Sequence, residues 1–221
     1  MHNNFLVERS GKMSKSSGEF LRLQLLVDKG YHPLAYRMMC LQAHYRSELE
    51  FSWEGLGAAL VRLKRLVMAV QSMPSDTALK NARQSPIDAA DALLAAFEEA
   101  VSDDLNTPLA LTIIDQLVAA KGVTSDYKKP LIAKMDKILG LRLFEASRED
   151  LRIRPQSVTI TEFKIIVILT LRNEARAAKD FATSDALRDQ LAAQGVEVMD
   201  GDPLDGDPLD GDPLGWDWKL G

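Results

Sequence analysis

Apolar residues recur at helical spacing along most of this chain. The clearest stretch follows Ser52, a residue type that caps helix N-termini. Its apolar face consists of Leu56, Leu60, Leu63, Val67 and Val70. Four other helices are predicted before residue 145. The first begins at Pro33, and the second covers 93–101 and ends at 102–104. The third begins with Thr107 as its N-cap, and the fourth covers 131–138 and stops at Gly140.

The run 165–171 allows two interpretations. Its β-branched residues favour a strand, but the stretch 162–179 contains no turn residue and exceeds the usual length of a strand, so we predict a helix. A further helix is predicted from about Thr183 to a stop at Gly195, followed by a short strand over 196–199. The predicted fold class is therefore mainly α.

Two segments interrupt the helical pattern. Residues 73–86 are polar and contain two prolines, which predicts a linker. Residues 200–214 repeat Asp-Gly-Asp-Pro-Leu three times, and this composition predicts a loop because it cannot build an apolar core.

The composition excludes several classes of protein. No apolar run reaches membrane-spanning length and the polar N-terminus does not resemble a signal peptide, so we expect a cytoplasmic protein without a membrane partner. Cys40 is the only cysteine. Together with three histidines it cannot supply a closed zinc site of the usual kind, so no metal site is predicted.

Charge is distributed unevenly around a net value of −5. The first 72 residues carry ten Lys and Arg against six Asp and Glu, whereas the last 22 carry one against seven. A protein that binds nucleic acid through bulk charge would be basic overall. No DNA partner is therefore expected, and any contact with RNA must depend on a few placed residues.

Residues 11–18 read Gly-Lys-Met-Ser-Lys-Ser-Ser-Gly, a cationic sequence suited to gripping phosphates. The string resembles the KMSKS signature of class I aminoacyl-tRNA synthetases. Further segments, in the order of the family, narrow the resemblance to cysteinyl-tRNA synthetase, from Met1 to about Trp218. These segments are 1–6, 31–37, 44–46 (His-Tyr-Arg), 97–108 (ending Asp-Asp-Leu-Asn-Thr-Pro), 175–181 and 184–189.

The resemblance implies a helical bundle, made of a stem-contact and a DALR-type anticodon-binding region, followed by a small C-terminal helical domain with a short strand segment. The implied parts are a catalytic-domain remnant with the KMSKS loop (1–19), stem-contact helices (20–72), a linker (73–86), a helical bundle (87–145), a second linker (146–157) and a C-terminal anticodon-binding domain (158–221) that includes the acidic repeat.

In this family the KMSKS loop helps to activate cysteine with ATP, because its ammonium groups stabilise the charge that develops on the departing pyrophosphate. The resemblance implies that, in an intact enzyme, Lys15 holds the phosphates of ATP most directly and Lys12 assists. Here the common Leu-Gly-Asn continuation is replaced by Ser-Gly-Glu, so that Glu19 places an anion beside the loop.

The resemblance also implies five contacts with the anticodon loop, made by Arg172, Arg176, Phe181, Asp185 and Asp200. Arg172 and Arg176 lie four apart, on one helical face, where guanidinium groups can contact phosphates or base edges. Phe181 offers a surface on which an unpaired base can stack. The two aspartates can accept hydrogen bonds from guanine, which the cysteine anticodon contains.

Two features of the family are not found in this sequence, namely a His-Ile-Gly-His-type motif and a cysteine/histidine/glutamate zinc site. ATP and zinc are therefore implied for the intact family enzyme and not for this chain. The predicted function is that of a tRNA-binding C-terminal portion of a cysteinyl-tRNA synthetase, inactive alone. Its implied partners are the anticodon loop and inner stem of the cysteine tRNA and, where one exists, a separate catalytic-domain chain. The alternative is a stand-alone, non-enzymatic paralogue that binds tRNA or a protein.

We predict that this chain has no ligase activity by itself. With cysteine, ATP and the cysteine tRNA, the purified chain is expected to give no ATP–pyrophosphate exchange and no charged tRNA, because a phosphate clamp alone does not position the reactants. Robust exchange that Lys15→Ala abolishes would contradict this expectation.

Overall fold

The computed structural model describes residues 6–8, 11–12, 22–74, 84–199 and 215–220, and these residues are mainly helical, as predicted. The helices are α1 Leu23–Asp28, α2 Pro33–Leu41, α3 Trp53–Gln71, α4 Gln84–Ser102, α5 Thr107–Ala119, α6 Ser125–Leu139, α7 Glu162–Ala177 and α8 Phe181–Ala193. The strands are β1 Leu6–Glu8, β2 Gly11–Lys12, β3 Leu49–Phe51, β4 Val196–Val198 and β5 Trp216–Trp218. None of the described helices is both long enough and apolar enough to span a bilayer.

The chain divides into two compact units. Unit 1 consists of Met1–Leu21 and Pro33–Leu151, and unit 2 consists of Arg22–His32 and Arg152–Gly221. Helix α1 therefore belongs to unit 2, whereas the division made from sequence groups residues 20–72 together. The assignment of these parts to a catalytic-domain remnant, to stem contact and to anticodon binding stays a prediction.

Unit 1 is a set of helices packed around an apolar core. Helix α2 packs on α3, and α4, α5 and α6 pack on one another. Helix α3 begins as predicted, since the side-chain oxygen of Ser52 accepts a hydrogen bond from the backbone N–H of Gly55 at 3.0 Å. The predicted apolar face of α3 is buried, with exposed fractions between 0% and 2% for Leu56, Leu60, Leu63, Val67 and Val70.

A three-stranded sheet that the sequence did not predict also lies in unit 1. Strand β1 pairs in parallel with β3, with Leu6 opposite Leu49, and antiparallel with β2, with Val7 opposite Lys12. The predicted phosphate-binding loop thus begins in a strand. Its continuation over 13–18 lies outside the described residues.

Helix α5 starts one residue earlier than the sequence indicated. Asn106, and not Thr107, is the N-cap, because its side-chain oxygen accepts a hydrogen bond from the N–H of Leu109 at 3.2 Å. The two residues before it, Asp104 and Leu105, have φ angles of 54° and 55°. These left-handed conformations end α4 and reverse the chain ahead of the cap.

Other helix ends agree with the sequence or differ by a few residues. Helix α6 stops at Gly140, as predicted, in the left-handed conformation with φ 63°. Helix α4 begins at Gln84, inside the predicted linker 73–86. Pro86, one of the two prolines on which the linker prediction depends, falls in the first turn of this helix, where proline is tolerated. Helix α8 begins at Phe181 and not at Thr183.

The carboxylate of Asp136 holds the chain that follows α6. It is 7% exposed and accepts hydrogen bonds of 2.8 Å from the backbone N–H groups of both Leu141 and Leu143. Burial raises the pKa of Asp136, and the two N–H donors act in the opposite direction.

Unit 2 combines the α7–α8 helical hairpin with the antiparallel pair β4–β5. Strand β4 was predicted and β5 was not; Val196 lies opposite Trp218, and Val198 lies opposite Trp216. The rings of the two tryptophans meet edge to face, with centroids 4.8 Å apart. The core of the unit consists of Ile160, Ile165, Ile168, Leu191, Val196, Val198, Trp216 and Trp218.

Replacing Asp136 with alanine is expected to lower the free energy of unfolding by about 1–3 kcal/mol, because two buried N–H groups lose their acceptor. Denaturant titration followed by circular dichroism measures this change. The matched control is Asp103→Ala at an exposed position, which should change the free energy by less than about 0.5 kcal/mol. Equal effects of the two substitutions would refute the role given to the Asp136 carboxylate.

Candidate nucleic-acid interface

Helices α7 and α8 are joined by the short turn 178–180. Within it, the N–H of Lys179 donates to the carbonyl oxygen of Arg176 at 3.0 Å, and the N–H of Asp180 donates to that of Ala175 at 2.9 Å. Lys179 has φ 60°, the left-handed conformation with which many helices end. The end of α7 and the start of α8 are therefore held close together in one defined geometry.

Asp180 is the N-cap of α8. One carboxylate oxygen accepts from the hydroxyl of Thr183 at 2.6 Å, and the other accepts from its backbone N–H at 3.1 Å. The same hydroxyl and N–H lower the pKa of the Asp180 carboxyl. This cap makes Phe181 the first residue of α8.

Three of the predicted RNA-contacting residues are exposed around this turn. Arg176 lies in the last turn of α7, and Phe181 opens α8 with 62% of its surface exposed. Asp185 lies one helical turn after Phe181, on the same face of α8. We call Arg176, Phe181 and Asp185 the turn surface. It combines a forked cation, an aromatic plane and an anionic acceptor.

Arg172 is placed differently from Arg176. It is 4% exposed and lies on the buried face of α7, together with Ile168 and Ala175. Residues four apart differ by about 40° around a helix, and here that angle separates a buried arginine from an exposed one. The structure therefore brings Arg176 to the surface and keeps Arg172 inside the protein.

The remaining predicted site residues belong to other parts of the chain. The backbone of Lys12 lies in β2. Lys15 and Asp200 lie outside the described residues. Within the described ranges, no three His, Cys, Asp or Glu side chains are grouped in a way that could hold a metal ion.

The turn surface lies within a segment of the sequence that matches a known protein family. Residues 167–203, which include all three of its members, match the family described as the Cysteinyl-tRNA ligase anticodon binding domain. The chain is similar over its whole length to the C-terminal part of cysteine–tRNA ligases. The predicted resemblance is confirmed.

Individual relatives show the extent of the match. The cysteine–tRNA ligase of Novosphingobium aromaticivorans is 60% identical over 224 residues, which cover 100% of this chain and 42% of that protein. The ligase of Zymomonas mobilis is 42% identical over 99% of this chain and 46% of its own length. For Thermus thermophilus the identity is 35% over 90% of this chain and 43% of the ligase. The chain thus spans less than half the length of these ligases.

Two of the segments that resemble cysteinyl-tRNA synthetase meet in unit 1. Asp104, from the segment 97–108, accepts hydrogen bonds from the hydroxyl of Tyr45 at 2.5 Å and from the guanidinium of Arg46 at 3.0 Å. The ring of His44 stacks on that of Tyr45, with centroids 4.9 Å apart. The His-Tyr-Arg segment therefore braces the strained turn before α5.

Sequence reasoning did not single out Asp180 or Lys179, although both shape the turn surface. The available signal was an aspartate three residues before Thr183, a pattern typical of a helix N-cap. The left-handed conformation of Lys179 had no such signal, because that position is more often glycine.

Asp180→Ala is expected to lower the melting temperature at pH 7, because the N–H and hydroxyl of Thr183 lose their acceptor. The pKa of Asp180 is lowered in the folded state, so its stabilising effect is present above the unfolded pKa of about 3.9 and is lost as the pH falls through the lower folded value. Thermal unfolding of wild type and variant should therefore differ from pH 7 to about pH 5 and converge in stronger acid.

The control for this cap is Asp189→Ala, an exposed aspartate farther along α8. It should leave the melting temperature nearly unchanged at every pH. A difference between Asp180→Ala and wild type that widens in acid would contradict the assignment of the cap.

Proposed function

We propose that this chain binds the cysteine tRNA and receives its anticodon loop on the turn surface. The observation that carries the proposal is the joint exposure of Arg176, Phe181 and Asp185 around the α7–α8 turn, inside the segment 167–203 that matches the anticodon-binding family. The curated relatives are ligases of cysteine and tRNA, which supports this tRNA as the partner.

Each group on the turn surface suits a feature of an unpaired guanine. The ring of Phe181 provides a plane for stacking, worth roughly 1–3 kcal/mol per base. The carboxylate of Asp185 can accept from the N–H groups on the Watson–Crick edge of guanine. The guanidinium of Arg176 can donate to a phosphate or to a base acceptor.

Charge limits how strong this binding can be. With a net charge of −5, the chain gains little from the counterion release that drives nonspecific RNA binding. Binding then depends on the few placed groups, and we expect micromolar affinity at best, which corresponds to about −8 kcal/mol.

Arg172 lies outside this surface, because its side chain is 4% exposed and one helical turn before Arg176 on α7. Direct contact with RNA would require this side chain to leave its buried position.

For a whole ligase, the proposal extends to the ATP-dependent attachment of cysteine to tRNA. There, Lys15 and Lys12 would contact the phosphates of ATP, and a catalytic domain, in the same or a separate chain, would hold cysteine. In this division of labour the turn surface selects the tRNA and the catalytic domain performs the chemistry.

The RNA prediction is tested by titrating the chain with cysteine-tRNA transcripts that differ only in the anticodon. Wild type should prefer the cognate anticodon, and Phe181→Ala or Arg176→Ala should weaken that binding about tenfold, which corresponds to about 1.4 kcal/mol. The matched control is Phe163→Ala, an equally aromatic residue on α7 that is 77% exposed away from the turn surface. Fluorescence anisotropy at fixed ionic strength measures all four proteins.

Equal affinity for every anticodon, unchanged by Phe181→Ala, would rule out the turn surface as the reading site. Loss of binding in Phe163→Ala together with retention in Phe181→Ala would place the RNA contact on α7 near Phe163 and not on the turn surface.

A further inference from the structure

Unit 2 contains a pocket near the end of α8, at the opposite end of this helix from the turn surface. Its volume is about 440 Å³, and we call it the α8 pocket. Gly195, which follows the end of α8 by two residues, is part of its lining. The rest of the lining comes from the segments 28–29, 155–158 and 219–220, all of which belong to unit 2.

Hydrogen bonds hold the walls of the α8 pocket together. Gln156 donates to Asp28 twice, from its backbone N–H to the carbonyl oxygen and from its side-chain amide to the carboxylate, both at 2.8 Å. The N–H of Lys219 donates to the carbonyl oxygen of Gly195 at 2.9 Å. Segments that are far apart in the sequence are therefore fixed side by side around the pocket.

Gly30 allows the same segments to pack closely. It has φ 92°, a left-handed conformation that favours glycine. A Cβ atom at this position would lie 2.7 Å from the Cγ of Pro155 and 3.1 Å from the Cδ2 of Leu220. The end of α1 is thus seated directly against two of the residues that line the pocket, and the fold itself builds the pocket walls.

The charged groups of the α8 pocket favour an anion. Lys29 and Lys219 bring two ammonium groups to the lining, and Ser157 brings a hydroxyl. The one carboxylate in the lining is that of Asp28, which already accepts a hydrogen bond from the amide of Gln156. Two cations against one anion leave a positive balance at the pocket, which attracts negative charge.

The remaining side chains suit a sugar that carries the anion. Pro155, Val158 and Leu220 supply apolar surface to the lining. A ribose phosphate presents both features, because its carbon atoms can contact these side chains while its phosphate oxygens accept from ammonium and hydroxyl donors.

Helix α8 connects the α8 pocket with the turn surface. Its 13 residues are about 20 Å long, and Phe181 opens the helix at the end away from Gly195. Ser184 and Leu191 are the buried residues of α8, so most of the helix is open to solvent between the two sites. An RNA strand that leaves Phe181 can therefore follow α8 to the pocket.

We propose that the α8 pocket binds a backbone phosphate of the RNA whose anticodon loop lies on the turn surface, with Lys29 and Lys219 as the cations that hold it. This inference rests on the proposed function, since the same RNA must occupy both sites. Lysine contacts with phosphate position an RNA without reading its bases. The pocket then sets the direction in which the RNA leaves the turn surface, and the turn surface alone distinguishes one anticodon from another.

The test is fluorescence anisotropy of the full chain with anticodon arms of the cysteine tRNA that carry the cognate or an altered anticodon. Lys29→Ala and Lys219→Ala should each weaken binding of both RNAs about threefold. Each should also lower the slope of log affinity against log salt concentration by about one, because one phosphate contact is lost. Lys219→Arg keeps the charge and should retain most of the affinity.

The matched control is Lys137→Ala, an exposed lysine on α6 in unit 1, which should leave both the affinity and the salt slope unchanged. Circular dichroism of each variant verifies that the helices are intact. Adenosine monophosphate, titrated alone, should not bind measurably, because it lacks the second anchor on Phe181. Binding of this nucleotide that depends on Lys219 would overturn RNA as the source of the phosphate.

The results separate this inference from the proposed function. If the lysine variants bind like wild type while Phe181→Ala still weakens cognate binding, the α8 pocket is not a phosphate site and the turn surface stands. If the lysine variants lose affinity and salt dependence but every anticodon binds equally, the pocket stands and the turn surface does not. A loss confined to the cognate anticodon, or no RNA binding by wild type, would overturn the pocket as a phosphate site.

Discussion

The burial of one face of α7 is the constraint on which unit 2 depends. Ile165, at 0% exposure, and Ile168 join the two tryptophans of β5 in one core, and this packing fixes the rotation of α7 about its axis. Once that rotation is set, the positions of the other side chains follow. Arg172 is drawn inside, Arg176 emerges beside the turn, and the opposite face is left to solvent.

Local signals were sufficient for most of the helices. Ser52 as a cap, Gly140 as a stop and the unbroken length of 162–179 each express a preference of a few neighbouring residues, and each is confirmed. The wrong prediction of Thr107 as the N-cap of α5 also concerns the preferences of neighbouring residues. Asn106 and Thr107 are both good caps, and residue preference alone does not decide between them.

Features that depend on distant partners could not be predicted from sequence. Strand β5 exists because Trp216 and Trp218 pair with β4, and the three-residue strands β1 and β3 need one another across more than forty residues. For the candidate site, family resemblance found Arg176, Phe181 and Asp185. It could not distinguish Arg172 from Arg176, because burial depends on what packs against α7 and not on spacing along it.

The pairing of β4 with β5 bears on how this chain can change in length. Val198 lies opposite Trp216, and the N–H of Met199 donates to the carbonyl oxygen of Gly215 at 2.9 Å, so the two ends of the connection between the strands are fixed together. Fifteen residues, three copies of one pentapeptide, join these ends. Closing a connection of twenty residues instead of fifteen costs only about 0.3 kcal/mol more. Adding or removing one copy of the pentapeptide is therefore expected to leave the stability of the unit 2 core nearly unchanged.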